Sequence, residues 1–401
     1  MSTAPVVRRC FALFLHTEER PRLDFGALLS GGPALRFDLC WLALAPHLDA
    51  PVELDAALVE AIGRIGASQW VARTDVEAEV GSERLQRLLE CGLVFEQEIA
   101  TPARVRDEGL RHAQWHPLLA TAHAFSRWGG VDSLAAQDAS QIRSTADLIA
   151  TGGLPPPHHH TRTDALSRMS LERAPARLLD TLMQRRTTCR NFDRSPALSA
   201  TDLAVVLHRA FGEQARETIE PGAVALKKNH PSGGGLHPLE AYLLVRRVES
   251  LCAGLYHYNV EAHALDRLPL PADFDEDGFS RTMVAGQHYF ADAAVLLVVA
   301  VRFPRSFWKY RRHPKIYRAI LLEAGHASQN LYLAATDLGL GAYVTAAINE
   351  VEIEQAFGLD PLFEGPVAVC GFGPRAGTRT TVELDPAGRV WDASGRLKQQ
   401  E

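Results

Sequence analysis

The sequence predicts an α+β protein of two domains. The chain has 401 residues, more than one ordinary domain holds and comfortable for two. In its second half, helical patterns are mixed with separated strands, which is typical of α+β architecture. No Gly-x-Gly-x-x-Gly motif follows a first strand, so a dinucleotide-binding Rossmann unit is not expected. We place a small domain at residues 1–130, a linker at 131–168 and a larger domain at 169–401.

Composition excludes several classes of protein. A net charge of −6 provides no basic field for nucleic acid. The six cysteines are scattered without a CxxC pair, which argues against a zinc knuckle or a disulfide framework and fits a reducing cytoplasm. The apolar run that ends at Leu15 is too short for a signal peptide, and the run Ala293–Val301 is too short to span a bilayer.

Residues 1–130 have the element order of a winged-helix-like domain. The expected elements are a strand at Val6–Leu15, helices at Leu35–Leu48, Asp55–Ile65 and Ser82–Cys91, a capping box at Thr74–Glu77 and a short strand at Leu93–Glu96. The second helix of the pair carries mixed charge instead of basic charge, which disfavours DNA binding. Two interpretations of this domain remain: it docks a peptide or a partner protein, or it serves as a scaffold.

Residues 131–168 predict an extended, exposed linker. Three prolines at 155–157 precede three histidines at 158–160. These histidines have no further ligand at a helpful spacing, so no metal site is expected.

The larger domain shows clear helix and strand patterns. They predict helices at Leu171–Arg185, from the Ser199 cap to Gly212, and at Pro314–Leu338, and strands at Glu240–Arg247, Leu255–Tyr258, Ala264–Leu268, Ala293–Val301, Tyr343–Ala347 and Pro366–Gly371. Leu255–Tyr258 and Ala264–Leu268 flank a turn and predict a hairpin. Gly339 and Gly341 follow the long helix, as expected for a glycine C-cap.

A glycine-rich loop leads into one of these strands. Its residues are Pro231, Ser232, Gly233, Gly234 and Gly235. Consecutive glycines let the backbone lie flat against a ligand, because no Cβ keeps it away, and the flanking proline stiffens the loop. This pattern suits a planar, anionic cofactor, and an ordinary tight turn is the alternative.

A cluster of cations ends the first helix of the domain. Arg185, Arg186 and Arg190 stand within six residues, with the Thr188 hydroxyl among them. Guanidinium groups bind a phosphate or a ring carbonyl in a bidentate fashion. The alternative is a solvated basic helix end, which the helix dipole favours anyway.

Lys309 and Tyr310 are candidates for proton abstraction. The unperturbed pKa of both side chains is about 10, so each needs a lowered pKa to act as a base at neutral pH. Neighbouring cations at Arg311 and Arg312 can supply that effect. A basic surface turn is the alternative.

Two further candidates complete the set. Arg375 closes the last strand, with Arg379 close behind, and either can reach a phosphate. His326 lies on the long helix, where buried histidines are commonly structural.

Taken together and in this order, the motifs resemble the FMN-dependent nitroreductase superfamily. More narrowly, they resemble its azoline-oxidase branch, and within it the peptide maturation dehydrogenases. The motifs are RRTTCRNF, PSGGGLHPLEAYL, GLYHYN, WKY, YRAILLEAGHASQNLYLAA, LGLG and GFGP. The resemblance covers about residues 169–375, a little over half of the chain.

The resemblance implies an α+β homodimer with two FMN sites at its interface. It assigns Arg186, Thr188 and Arg190 to the phosphate and the pyrimidine edge of the flavin. It also implies that the Pro231–Gly235 backbone lies near the isoalloxazine ring and that Gly341 lies on the other side of the ring.

The resemblance further implies a reaction. Lys309 and Tyr310 would take a proton while a hydride passes to flavin N5, and oxygen would reoxidise the flavin. The implied substrate is a thiazoline or oxazoline in a ribosomally made precursor peptide, and the implied partner is a cyclodehydratase.

Three departures from the family pattern bear on these assignments. An extra threonine in the arginine motif leaves the first position to Arg185 or Arg186. Arg311 replaces the usual glycine after Lys-Tyr. The phosphate partner after the last strand is either Arg375 or Arg379.

Two other functions compete with peptide oxidation. One is a nicotinamide-dependent reductase of small nitro or quinone compounds, for which a docking domain of about 130 residues would serve no purpose. The other is a binding protein on a flavin-less scaffold, against which the intact Lys309-Tyr310 pair and the glycine triplet argue.

Overall fold

The computed structural model describes residues 4–142, 144–160 and 162–398. Arg143 and Thr161 of the predicted linker lie outside these ranges. The chain divides into two compact units. The first comprises the chain up to Arg127, together with Phe303–Arg318 and Pro361–Phe363, and the second comprises the rest. The predicted domain limits at residues 130 and 168 stay a prediction.

The first unit combines two three-stranded antiparallel sheets with short helices. The sheet orders are β5-β1-β6 and β2-β3-β4. Its elements are β1 (Val6–Arg9), β2 (Phe14–Leu23), α1 (Phe25–Leu29), β3 (Leu35–Leu44), β4 (Val52–Leu54), α2 (Ala56–Arg64), β5 (Val71–Ala72), α3 (Arg73–Val80), α4 (Ser82–Glu90), β6 (Val94–Glu96), α5 (Pro102–His112), α6 (Pro117–Ser126) and, later in the chain, α13 (Phe303–Tyr310).

Apolar spacing places the helices of the first unit on a common core. Leu58 and Ile62 of α2 and Leu85 and Leu88 of α4 are all buried, as their i, i+3 and i, i+4 spacing requires. These two helices confirm the predicted elements at 55–65 and 82–91. The winged-helix assignment itself stays a prediction.

The predicted helix at Leu35–Leu48 is wrong, because this stretch is strand β3. Apolar and polar residues alternate from Leu35 to Leu39, which is the period of a strand. Partner β2 pairs along the whole length, from Leu44 opposite Phe14 to Leu35 opposite Leu23. The long-range pairing therefore decides between two patterns that the local sequence leaves close.

Two predicted helix starts also differ from the structure. Helix α3 begins at Arg73 after Ala72, so Thr74 is not its cap. Arg73 itself is held by ion pairs to Glu77 and Glu96. In the second unit the helix predicted from Leu171 starts only at Leu178, because a residue before Pro175 is disfavoured in helical geometry.

The second unit is built around one six-stranded antiparallel sheet, in the order β11-β10-β9-β12-β14-β13, with helices and a separate hairpin. Its elements are α7 (Ser133–Ala139), α8 (Thr145–Gly152), α9 (Leu178–Arg185), α10 (Ala200–Phe211), β7 (Ala215–Glu220), β8 (Ala223–Lys227), a 3₁₀ turn (Gly233–Gly235), β9 (Leu239–Val245), β10 (Gly254–Asn259), β11 (Ala264–Arg267), α11 (Glu276–Met283), α12 (His288–Ala291), β12 (Val295–Arg302), α14 (Ile316–Asp337, in this unit from Ala319), β13 (Gly341–Thr345), α15 (Glu350–Phe357) and β14 (Glu364–Gly373).

Strand β12 forms the middle of the large sheet. Its residues from Val295 to Val301 are fully buried between β9 and β14, as its continuous apolar run predicts. Strands β10 and β11 form the predicted hairpin, and Ser199 caps α10 as expected. The α+β fold class is confirmed.

Two further features of the described residues concern membrane spans and disulfide bonds. The helices of the described residues are each too short or too polar to cross a membrane. All six cysteines are free thiols.

Candidate functional site

The arginine motif continues from a helix into the edge of the large sheet. Helix α9 ends at Arg185, and Arg186 is its C-cap. Thr188 then forms a parallel bridge to Ala342 of β13, and the Cys189 N–H donates to the Ala342 carbonyl across 2.8 Å. The backbone of the motif is thus fixed by the sheet, while its side chains alternate direction.

Tyr332 of α14 organises two residues of this motif. The hydroxyls of Tyr332 and Thr188 are 3.0 Å apart. The Arg186 guanidinium lies 5.1 Å from the centre of the Tyr332 ring, within cation–π range. Sequence reasoning missed Tyr332, because nothing in a helical repeat separates a site-facing tyrosine from a core one.

Close packing against Cys189 of the arginine motif requires a glycine at position 341. A Cβ on Gly341 would lie 2.5 Å from the Cys189 Sγ, too close for any side chain. Burial raises the pKa of the Cys189 thiol to about 12. A thiolate nucleophile at Cys189 is therefore unavailable at neutral pH.

Arg375 is engaged inside the protein. Its guanidinium donates to Glu383 across 2.9 Å and to the Thr187 hydroxyl across 2.9 Å. Glu383 also accepts from the Trp391 indole across 2.8 Å and from the Arg190 N–H across 2.6 Å. Glu383 was not predicted, because it is one of several acids after the last strand and local sequence does not separate it from Asp385 or Asp392.

Arg190 points toward aromatic rings. Its guanidinium lies 5.7 Å from the Tyr289 ring centre and 5.8 Å from that of Phe290. It also lines an open cleft with residues 376–381 that follow β14. The side chain can therefore reach a ligand at this edge of the sheet, and its backbone N–H holds Glu383.

A cationic pocket of about 350 Å³ lies beside the end of α9. Its charged lining residues are Arg185, Arg375, Arg389 and Lys398. Because Glu383 neutralises Arg375, the net positive charge of the pocket comes from the other three. Arg389 and Lys398 were missed, because they lie far beyond the motif along the chain.

The glycine loop presents bare backbone to solvent. Gly234 and Gly235 are exposed with φ of +70° and +69°, a region that other residues avoid. The Ser232 hydroxyl accepts from the His237 N–H across 2.8 Å and donates to Glu323 across 2.5 Å. The loop is thus fixed at its base by side chains and left uncovered at its tip.

Lys309 and Tyr310 belong to the first unit, and the other predicted site residues belong to the second. The pair forms the last two residues of α13, with Lys309 exposed and Tyr310 half-buried. The Lys309 Nζ lies 5.6 Å from the Tyr310 ring centre. The predicted surface turn is therefore the end of a helix.

A buried aromatic cluster holds that helix in place. Phe303 and Phe307 of α13 lie 4.7 Å and 4.6 Å from Trp115, measured between ring centres. The Trp115 indole donates to the Leu362 carbonyl. The Lys-Tyr pair therefore lies on a helix anchored by these contacts, and no local sequence pattern indicates the cluster.

His123 belongs to the same cluster as a neutral imidazole. Its Nε2 lies 2.9 Å from the Pro361 carbonyl and its Nδ1 3.0 Å from the Tyr317 hydroxyl. A carbonyl only accepts, so Nε2 carries the proton and Nδ1 accepts from the tyrosine. Burial lowers the pKa of His123 to about 4. His326, the other histidine considered, is exposed on α14.

Comparison with known proteins relates residues 182–374 to a protein family. The family model described as "Nitroreductase family" matches residues 182–374. A protein of Methanocaldococcus jannaschii named as a nitroreductase is 33% identical over 181 residues, which cover 45% of this chain and 83% of that protein.

The names of two further relatives refer to the processing of trifolitoxin and of microcin B17. The trifolitoxin-processing protein TfxB of Rhizobium leguminosarum bv. trifolii is 33% identical over 36% of this chain and 38% of its own length. The microcin B17-processing protein McbC of Escherichia coli is 29% identical over 46% of this chain and 65% of its own length. The chain thus spans about two fifths of TfxB and about two thirds of McbC.

Proposed function

Because this chain belongs to the nitroreductase family, we propose that it is an FMN-dependent dehydrogenase that oxidises an azoline ring in a ribosomally made, modified peptide. Azoline-to-azole conversion removes two electrons and two protons. FMN, when bound, supplies the two-electron acceptor. The chain's own residues have to bind the cofactor, orient the peptide and remove a proton.

The cationic pocket beside α9 carries the cofactor proposal. A phosphate needs clustered donors in a concave site, and Arg185, Arg389 and Lys398 supply three cations around about 350 Å³. We assign the FMN phosphate to this pocket, with Arg185 as the first arginine of the motif. Arg186 follows as the C-cap of α9, and Arg375 lines the pocket while paired with Glu383.

The remaining polar groups suit the ring system. Thr188 and Arg190 follow the pocket along the chain and offer a hydroxyl and a guanidinium to the ribityl chain and the pyrimidine edge. The exposed backbone of Gly234 and Gly235 has no Cβ and can face a flat ring. These features support FMN over a nicotinamide dinucleotide as the bound cofactor.

Lys309 and Tyr310 are assigned the proton transfer. Their place at the end of a helix anchored by Phe303 and Phe307 supports a fixed position for the pair. A positioned base is worth about 10² to 10⁴ in rate. The burial of the Cys189 thiol supports general-base chemistry over a covalent route through that residue.

The first unit offers a surface for a peptide or a partner enzyme. Leu35, Phe37 and Leu39 alternate along β3, so they share one face, and each is more than half exposed. Exposed apolar rows of this kind mark interaction sites. The names of TfxB and McbC, which refer to the processing of trifolitoxin and microcin B17, support a precursor peptide as substrate. We propose a cyclodehydratase as the partner enzyme.

A homodimer is the expected assembly. Leu178, Leu179 and Met183 of α9 are exposed, and so are Leu321 and Leu322 of α14. Large apolar side chains on two helices favour a protein interface. Light scattering on the purified protein should give twice the mass of one chain.

Release and identification of the bound flavin tests the cofactor proposal. The freshly purified protein should be yellow and release about one FMN per chain on heating. A colourless protein that does not take up added FMN would contradict the proposal and favour a binding protein on the same scaffold.

A further inference from the structure

Three buried side chains that the proposed function does not use meet at the base of the glycine loop. His230 precedes the loop, His237 follows it, and Glu323 comes from α14. Their side chains are 1%, 5% and 3% exposed. All three belong to the second unit.

The polar atoms of this cluster lack ordinary partners. Neither ring nitrogen of His230 has a hydrogen bond, and the same is true of the His237 Nδ1 and the Glu323 Oε1. A buried polar atom without a partner destabilises the folded protein, and a charged one does so more strongly. Four such atoms at one place therefore point to a missing ligand.

We propose that His230, His237 and Glu323 bind a divalent transition-metal ion of the zinc class. The nearest nitrogen of each histidine lies 3.5 Å from the Glu323 Oε1. One ligand atom from each residue lies within 4.8 Å of the others. A tetrahedral site with bonds of about 2.0–2.1 Å has edges of about 3.3 Å, so the observed separations are near those of a zinc site and long for hydrogen bonds.

The Glu323 carboxylate is prepared for this role. Its second oxygen, Oε2, already accepts the Ser232 hydroxyl. A ligating carboxylate that is hydrogen-bonded through its other oxygen is the usual outer-shell arrangement of metal sites.

The site would join the glycine loop to α14. His230 and His237 bracket residues 231–236, and Glu323 lies on the long helix, so one ion would fix both ends of the loop to the helix. The donor set of two imidazoles and one carboxylate without sulfur selects zinc or iron(II) over calcium or magnesium. The three protein ligands leave the fourth tetrahedral position of a zinc ion to a water molecule or another small ligand.

Zinc content and ligand type test the site. The background protein should carry His158→Ala, His159→Ala and His160→Ala and no affinity tag, because those three exposed histidines bind metal by themselves. After chelator treatment and reloading with zinc chloride, we expect about one zinc per chain by mass spectrometry. X-ray absorption should show nitrogen and oxygen ligands, including imidazole, and no sulfur.

Single variants identify the ligands. Glu323→Gln and His230→Gln should each weaken zinc binding by more than roughly 100-fold, and Ser232→Ala by roughly 10-fold or more. His326→Ala, an exposed histidine one turn along α14 from Glu323, should leave zinc content unchanged. The X-ray absorption spectrum of the background protein tests the ligand types even if a ligand variant fails to fold.

Three results would overturn the proposal: a reloaded protein without stoichiometric metal, a sulfur-ligated ion, or full zinc content in both Glu323→Gln and His230→Gln. Flavin content measured on the same samples separates this inference from the proposed function. Protein with FMN and no metal would reject only the metal site, and protein with zinc and no flavin would reject only the FMN assignment.

Discussion

The Arg375 guanidinium lies 2.9 Å from the Glu383 carboxylate, with 7% of one side chain and none of the other exposed. This ion pair joins the end of β14 to the segment that follows it. Two of the guanidinium nitrogens are thereby bound to Glu383 and Thr187. The sequence predicts Arg375 as a phosphate partner, and that role stays a prediction beside the structural one.

Arg375→Ala should destabilise the second unit. Removing the guanidinium leaves the Glu383 carboxylate buried without its cation, which costs about 3–5 kcal/mol. Urea denaturation should show this loss in the free energy of unfolding. The matched change Arg379→Ala, at an exposed position, should stay within about 0.5 kcal/mol. Equal stability of Arg375→Ala and the wild type would contradict the structural role.

Arg389→Ala and Lys398→Ala should weaken FMN binding without affecting the fold. Each removes a charge-assisted hydrogen bond worth about 1.5 kcal/mol or more, so the Kd should rise roughly tenfold or more. Fluorescence titration of the apoprotein measures this change. Riboflavin, which lacks the phosphate, is the control ligand and should bind both variants as it binds the wild type. If the two ligands lost affinity equally, the phosphate would lie elsewhere.

Gly235→Ala should reduce flavin affinity more than it reduces stability. The left-handed φ of +69° costs an alanine about 1–2 kcal/mol, and the added methyl projects from a face with no protein atom within 4 Å. Gly222→Ala is the matched control, because Gly222 has a φ of +81° and equally open surroundings in the β7–β8 turn. Both variants should lose similar thermal stability, and only Gly235→Ala should lose FMN. The same FMN content in both would reject the loop as part of the site.

Lys309→Ala combined with Tyr310→Phe should leave FMN bound and slow peptide oxidation by about 10²-fold or more, as expected for the loss of a general base. Turnover with a matured peptide, followed by mass spectrometry, measures the effect. Exposed Trp308 provides a control, since Trp308→Ala changes the same helix without touching the pair's functional groups. Unchanged turnover in the double variant would refute the base assignment.

Stability should fall between about pH 6.5 and pH 4 because of His123. Its pKa is about 4 in the folded protein and about 6.5 when unfolded, so on acidification the unfolded state takes up the proton first. The contribution is fully present above pH 6.5, and its loss approaches about 3 kcal/mol near pH 4. His123→Gln, which does not titrate, should show a flatter pH profile. Parallel profiles for the two proteins would mean that His123 is not buried as a neutral group.

Deletion of residues 1–130 would not be a clean test of peptide docking. Trp115 packs against Phe303 and Phe307, so the deletion would unpack the helix that carries Lys309. Phe37→Ser with Leu39→Ser tests docking in the whole chain. Peptide affinity should fall while FMN content stays constant, and unchanged affinity would exclude this surface.

Local patterns predicted most of the second unit. The apolar run of β12, the β10–β11 hairpin and the Ser199 cap each depend on neighbours within a few residues, and the resemblance supplied the motif order. The pattern failed where distant pairing decided the outcome. Leu35–Leu44 forms a strand through its pairing with β2. The ion pair of Arg375 with Glu383, on the segment after the last strand, is likewise not indicated by any local pattern.

Site residues missed from the sequence share the same physical reason. Tyr332, Glu383, Arg389 and Lys398 act through contacts with residues that lie far away in the chain. The cluster of His230, His237 and Glu323 was hidden because Glu323 lies 86 residues after His237, although the quoted motifs contained both His237 and Glu323. The spacing of residues within one helix or loop does not reveal a site whose ligands come from a loop and a distant helix.

Peptide oxidation by the bound flavin is tested most directly by an anaerobic reaction of the FMN-loaded protein with an azoline-containing peptide. We expect the visible flavin absorption to bleach as the peptide loses two hydrogen atoms, one peptide per flavin, and to return when oxygen is admitted. A flavin that stays oxidised with such peptides, yet bleaches with a nicotinamide donor and passes its electrons to nitro or quinone compounds, would contradict the account and identify a small-molecule reductase.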